Sequence, residues 1–209
     1  MKRIIPVIFA VALVLLVLTV SIGLPIYLRP FYYAHIEALE LDVYSGFTKA
    51  QIRTAYDQML DYLTLPGKPF GTGEIPHSAE GAAHFADCKV LFDLNAWVLV
   101  GSAVVVLAIF LARKRCRLPS LRSAAFGAGI SALALPIVVG SLAAVDFDRA
   151  FVIFHQIFFP GKDNWIFDYY TDPIILVLPQ TFFMNCAILI GAGLIALSCC
   201  LLWLGKRRK

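Results

Sequence analysis

Four stretches of the chain are nearly free of polar residues: 4–28, 96–112, 124–145 and 180–204. About 20 apolar residues in a helix cross a bilayer core of about 30 Å. The first, third and fourth stretches therefore predict transmembrane helices outright. The second needs a residue or two from its flanks and is read as 95–112. The connections between these runs have a different pattern. "TKAQIRTAYDQMLDYLTL" opens on Thr48 with Gln51 three positions on, a capping-box pattern. Ile52, Tyr56, Met59 and Leu63 then recur on one helical face, opposed by Arg53, Asp57 and Asp61. This predicts an amphipathic helix lying across the membrane surface or packed over the bundle.

"LPGKPFGTGEIPHS" (65–78) alternates Gly67, Gly71 and Gly73 with Pro66, Pro69 and Pro76 and reads as a loop. It lacks the G-x-x-x-x-G-K-[ST] spacing of a phosphate loop. Ser78 is a candidate N-cap for a helix running towards the second span. On that helix Glu80, His84, Asp87 and Leu91 share a face. In the later connection, 151–159 is apolar except for His155 and Gln156 and too short to span. It predicts an interfacial or re-entrant helix ended by Pro160-Gly161. Trp165, Phe167, Tyr169 and Tyr170 follow, residue types enriched at the headgroup level.

Charge orients these spans. Lys2, Arg3, Arg113, Lys114, Arg115, Arg117, Arg122, Lys206, Arg207, Arg208 and Lys209 are eleven of the 18 bases, and all fall in the segments outside the two long connections. All 14 acids fall in 29–94 and 146–179. Because positive segments are retained in the cytoplasm, both termini are expected inside and the two long connections outside. The net charge of +4 is then an orientation signal rather than a nucleic-acid footprint. The first run starts like a signal peptide, but its length and the lack of an A-x-A site favour an uncleaved helix. The 60% hydrophobic and 15% charged composition, with a mean hydropathy of +0.79, fits a membrane protein. The expectation is an all-α membrane protein, a single membrane domain over 1–209. Its four transmembrane helices at 4–28, 95–112, 124–145 and 180–204 carry a helical extracellular cap.

Candidate chemistry is sparse. Cys186, Cys199 and Cys200 fall in the last span, Cys116 in the inner loop, and only Cys88 is expected outside, so no disulfide or C-x-x-C redox pair is expected. No G-x-S-x-G marks a serine nucleophile, and no H-E-x-x-H marks a zinc site. All four histidines, 35, 77, 84 and 155, are expected on the outer side. His35 and His77 sit in ordinary polar contexts. His84 and His155 each sit in an otherwise apolar stretch approaching the membrane. A histidine there is either a structural group bonded to a carbonyl or carboxylate, or a general acid–base near neutral pH. Haem held between them is the weaker alternative.

Two segments, "LPGKPFGTGEIPHSAEGAAHFADCKVLFDLN" and "FHQIFFPGKDNWIFDYYTDPIILVLPQTFF", resemble the signatures of a bacterial membrane family, the lipoprotein intramolecular transacylases. The carrying patterns are H-x-x-D-[VC]-K before the second span, then F-H-x-x-F-F and N-W-x-F before the fourth. Cys88 departs from the valine expected there, which bears on packing more than on the histidine. The resemblance implies a diacylated lipoprotein substrate in the bacterial cytoplasmic membrane. The sn-2 acyl chain of its S-diacylglyceryl cysteine moves to the α-amino group, giving a lyso-form lipoprotein. It implies His84 and His155 as the catalytic residues, with no cofactor and no metal.

Since ester and amine belong to one molecule, no covalent acyl-enzyme is needed. The enzyme then needs chiefly orientation, which supplies about 7–11 kcal/mol. Asp87 is a candidate to orient His84, and Asn164, Trp165 or a backbone N–H near Gly161 are candidate oxyanion donors. Eleven residues separate His84 from Asn95, a rise of about 16 Å in an upright helix. The 79–94 helix is therefore expected to tilt, or to bend near 93–95, if His84 is to meet His155 at the headgroup level. The rival reading from another class is a non-catalytic membrane protein that binds lipid or a partner through its outer cap.

Overall fold

The computed structural model of the chain describes residues 4–115 and 120–206. Lys2, Arg3, Cys116, Arg117, Arg207, Arg208 and Lys209 lie outside the described residues. Four long helices meet the length and apolarity of membrane spans: α1 (Ile4–Tyr27), α5 (Ala79–Arg115), α6 (Arg122–Val145) and α9 (Gln180–Gly205). Between α1 and α5 come α2 (Arg29–Ala38), α3 (Leu41–Ser45) and α4 (Lys49–Thr64). Between α6 and α9 come α7 (Phe147–Phe158) and α8 (Ile174–Val177). Among the described residues every regular element is helical. The all-α membrane architecture expected from hydropathy is present, and α2, α3 and α8 are additions that periodicity did not reveal.

The chain divides into two compact units. One comprises Met1–Leu24, Asn95–Val145 and Ile188–Lys209; the other comprises Pro25–Leu94 and Asp146–Ala187. In the first unit Phe9, Leu13, Leu121, Ala124 and Ala128 form one buried cluster, and Val17, Ala132 and Leu194 another. Small residues permit close helix approach there, as in other membrane bundles. A Cβ at Gly129 would stand 3.0 Å from the Ser198 carbonyl oxygen. Hydroxyls in this apolar setting bond back along their own helix, Thr19 to the Leu15 carbonyl and Ser21 to that of Val17, each at 2.8 Å.

The second unit has the larger core, and α4 builds much of it. Thr48 caps α4 and exchanges the reciprocal capping-box bonds with Gln51, as the sequence predicts. Ile52, Tyr56, Met59 and Leu63 are all buried. Tyr56 stacks on Tyr32 of α2 with ring centroids 3.7 Å apart, and the Tyr32 hydroxyl donates to the Val177 carbonyl at 2.7 Å. The opposite face of α4 is held by charge: Arg29 donates to both Asp57 and Asp61, and the Tyr33 hydroxyl donates to Asp57 at 2.7 Å. Helix α4 is thus a core element of this unit.

Two helix boundaries differ from those expected. The approach helix and the second span are one helix, and α5 runs 37 residues without interruption through Asp93–Asn95. The reason is local: nothing in "KVLFDLNAWV" breaks a helix, since it holds neither glycine nor proline. The helix at 151–159 starts four residues earlier, because Asp146 caps it by accepting from the Arg149 N–H at 2.9 Å. It ends where expected, with Gly161 in the left-handed region at φ 72°.

Candidate active site

The first turn of α5 is fixed in two ways. Ser78 Oγ accepts from the Gly81 N–H at 2.9 Å, the N-cap bond the sequence suggests. The buried Asp172 carboxylate then accepts from the Ser78 N–H at 2.7 Å and from the Thr171 hydroxyl at 2.9 Å. A carboxylate at a helix N-terminus also meets the positive end of the helix dipole. Sequence reasoning missed Asp172, because its partner lies 94 residues away. This anchoring sets the rotation of α5 and hence where His84 points, a turn further on.

His84 and His155 come together within the second unit, with ring centroids 5.7 Å apart, and both are buried at 7% exposure. Aromatic side chains wall them in. Phe159 and Phe167 meet His84 edge-on at 5.0 and 5.5 Å, and Trp165 stacks on His155 at 4.5 Å with 27° between the planes. Residues 79–94 carry Glu80, Asp87, Lys89 and Asp93, so the apolar window of α5 lies in its later part and His84 stands outside it.

The hydrogen bonds of each ring limit its protonation. His155 Nδ1 lies 2.7 Å from the Phe151 carbonyl oxygen, which can only accept. The proton of a neutral His155 is therefore on Nδ1, and Nε2 carries the lone pair. His84 Nε2 lies 3.4 Å from Cys88 Sγ, while its Nδ1 is buried without a protein partner. Burial, reinforced by neighbouring His155 and only partly opposed by Asp87, lowers the His84 pKa from 6.5 to about 4. Burial also lowers that of His155, against the opposing pull of the Phe151 carbonyl. Both rings are neutral at pH 7.

Asp87 sits beside this pair in a different relation from the one expected. Its carboxylate accepts from Lys162 Nζ and, at 3.2 Å, from Asn164 Nδ2 rather than from His84. Lys162, and secondarily Asn164, holds the Asp87 carboxyl below the usual carboxylate range despite burial. Asp87 thereby fastens α5 to the 159–167 loop that carries Phe159, Trp165 and Phe167.

The candidate oxyanion donors are mostly engaged. The Trp165 indole N–H donates to the Lys162 carbonyl at 3.0 Å, and the Lys162 N–H to that of Phe159 at 3.2 Å. Asn164 leaves a buried Oδ1 without a protein partner. Sequence reasoning also assigned Cys88 to packing, whereas its sulfur faces the His84 ring. The i, i+4 spacing of the two was the available signal.

The other histidines are structural. His35 Nδ1–H donates to the Phe31 carbonyl at 2.7 Å and its Nε2 accepts from Asn185 at 2.9 Å. His77 Nδ1 pairs with Thr72 Oγ1 at 2.8 Å, whose hydroxyl donates to the Ile75 carbonyl. Among the described residues, no three His, Cys, Asp or Glu side chains converge as a metal site.

A chain whose described regular elements are all helical, with four helices long and apolar enough to cross a bilayer, is an integral membrane protein, and this one holds a buried imidazole pair. Residues 7–183 match the family described as lipoprotein intramolecular transacylase Lit, and the chain belongs to that family of transacylases. The membrane integral lipoprotein intramolecular transacylase Lit from Bacillus cereus, solved in meso, superposes on it with a TM-score of 0.89. That match is 24% identical and covers 98% of this chain and 94% of that one. Two single-histidine variants of the same Bacillus cereus protein, one to arginine and one to alanine, give 0.82 at 24% identity. They cover 98% of this chain, and 90% and 92% of theirs. At this identity the likeness speaks to the fold. No curated protein matches the sequence.

Proposed function

We propose that this transacylase moves the sn-2 acyl chain of an S-diacylglyceryl cysteine to the α-amino group of the same lipoprotein, using His84 and His155 as acid–base pair. The observation that carries the reading is the pair itself: two buried, neutral imidazoles 5.7 Å apart, each with a nitrogen not committed to a stronger protein partner. The α-amino group has an ordinary pKa of about 7.7–8.0 and arrives largely protonated. His155 Nε2, bearing the lone pair, takes the ammonium proton. The freed amine attacks the ester carbonyl, the amide C–N bond forms and the ester C–O bond breaks. His84 gives a proton to the departing glycerol oxygen as the nitrogen's second ammonium proton passes to the same ring, which ends neutral, and the proton held by His155 leaves to solvent. Like charges this close repel, so the pair carries one proton at a time, which suits a relay. No bond to the enzyme forms.

The same reading puts segments 29–94 and 146–179 on the outer side of the bacterial cytoplasmic membrane, where acyl esters of translocated lipoproteins reside. The charge census supports that orientation, and the whole chain acts as one membrane domain. The test is to express wild type, His84→Ala and His155→Ala with a reporter lipoprotein in a host lacking the activity, and to read acylation by mass spectrometry. Both variants should reach wild-type membrane levels and yield no lyso-form product, a loss of about 10²-fold or more for an essential acid or base. Normal product from both would leave a non-catalytic lipid- or partner-binding protein as the better account.

A further inference from the structure

Cys88 occupies the one position where the signature pattern leads one to expect valine, and its sulfur is 3.4 Å from His84 Nε2. Two arrangements of one hydrogen fit that distance: S–H donating to Nε2, or Nε2–H donating to sulfur. A thioether or thiol sulfur is a weak acceptor, whereas an unprotonated imidazole nitrogen is a good one. Burial pushes the thiol up to about 12, so the hydrogen is on sulfur to be given. The remaining nitrogen of the ring, Nδ1, is buried with no protein partner, on a residue that is itself 7% exposed. An N–H left so is costly until something meets it.

We propose that Cys88 is a positioning residue that fixes the tautomer of His84, its S–H donating to Nε2 so that Nδ1 carries the proton offered to the substrate oxygen. The inference rests on the two-histidine reading and deepens it. His155, bonded through Nδ1–H to a carbonyl, is held as the proton acceptor; His84, bonded through Nε2 to a thiol, is held as the donor. Both rings share the Nδ1–H tautomer, yet they present opposite faces, because the helix carbonyl takes one ring's N–H while the thiol leaves the other's free. The thiol itself makes no covalent bond: a buried, protonated cysteine is a poor nucleophile.

The test combines ¹⁵N spectra of histidine-labelled protein in lipid nanodiscs with steady-state acyl transfer, for wild type, Cys88→Ser, Cys88→Ala and His84→Ala. The last variant assigns the His84 signals. Wild type and Cys88→Ser should show His84 protonated at Nδ1, since a serine hydroxyl donates as the thiol does. Cys88→Ala should show a mixture of tautomers, with kcat reduced about two- to tenfold, the worth of one neutral hydrogen bond, and KM unchanged. Restoration of kcat by serine separates positioning from simple packing. His84 protonated at Nε2 in wild type, or an alanine variant with the wild-type spectrum, would overturn the proposal. So would complete loss of activity in both the serine and alanine variants, which would make Cys88 a nucleophile. If His84→Ala stayed fully active while the tautomer responded as stated, the acid–base reading would fall and the tautomer lock would stand.

Discussion

Replacing Gly81 by alanine sets two effects of opposite sign against each other. Gly81 lies in the first turn of α5, and alanine in place of helical glycine stabilises by roughly 0.5–1 kcal/mol. At this position, however, a Cβ would lie 3.0 Å from the Asp172 Cγ and closer still to its Oδ1. Asp172 is 4% exposed, and the displaced oxygen is the one that accepts from the Ser78 N–H. A shift of about 1 Å would carry that 2.7 Å bond out of hydrogen-bonding range. Hydrogen bonds to a charged group contribute about 1.5–3 kcal/mol, so the loss outweighs the helical gain. Gly81→Ala is expected to destabilise by about 1–2 kcal/mol net. At about 2–4 °C per kcal/mol for a chain of this size, Tm should fall by about 2–8 °C. Thermal unfolding followed by tryptophan fluorescence in detergent reads this directly. Gly101→Ala is the control: it lies in the same helix with open space around its Cβ, and its Tm should hold or rise slightly. In an Asp172→Ala background the Gly81 penalty should vanish, because the two changes share one contact. A Gly81→Ala protein as stable as the Gly101→Ala control would refute the reasoning.

Two further outcomes follow from the site. The folded-state pKa values of His84 and His155 lie below the unfolded value of about 6.5. Below pH 6.5 the unfolded chain therefore binds protons that the folded protein refuses, and stability falls as pH drops from about 6.5 towards 4. A Tm–pH series should show this loss, and it should be shallower in His84→Phe, whose aromatic ring keeps much of the packing. If Asp87 acts by fastening the 159–167 loop, Asn164→Ala and Asp87→Ala should each lower kcat by about tenfold through misplacement of the stacked Trp165 and His155. Direct orientation of His84 by Asp87 would leave Asn164→Ala silent in the same mass-spectrometric assay.

Short-range chemistry made much of this molecule legible in its sequence. The capping box at Thr48, the buried stripe from Ile52 to Leu63 and the stop at Pro160-Gly161 each depend on residues within a few positions of one another, and each is where the pattern put it. Helix α5 runs from its polar approach straight into the apolar span, because a change from polar to apolar residues gives the backbone no reason to break. Asp172 was missed because its role is a pairing across 94 residues. Asp87 was assigned to His84 by helical proximity, but the lysine and amide that win it come from a loop 75 and 77 residues away. Spacing ranks neighbours along one helix; it says nothing of stronger partners brought in from outside it.

The two imidazoles are 71 positions apart, and the remainder of α5 and the whole of α6 fall between them. A chain made from its N-terminus therefore delivers His84 to the membrane well before His155 exists. Until residues 146–167 follow, the first ring has neither its aromatic walls nor its partner, and on the acid–base reading a nascent or truncated chain performs no acyl transfer. Acyl-transfer activity then doubles as a report of complete membrane insertion: product appears only from chains in which the third span has been threaded and the loop behind it has closed onto α5.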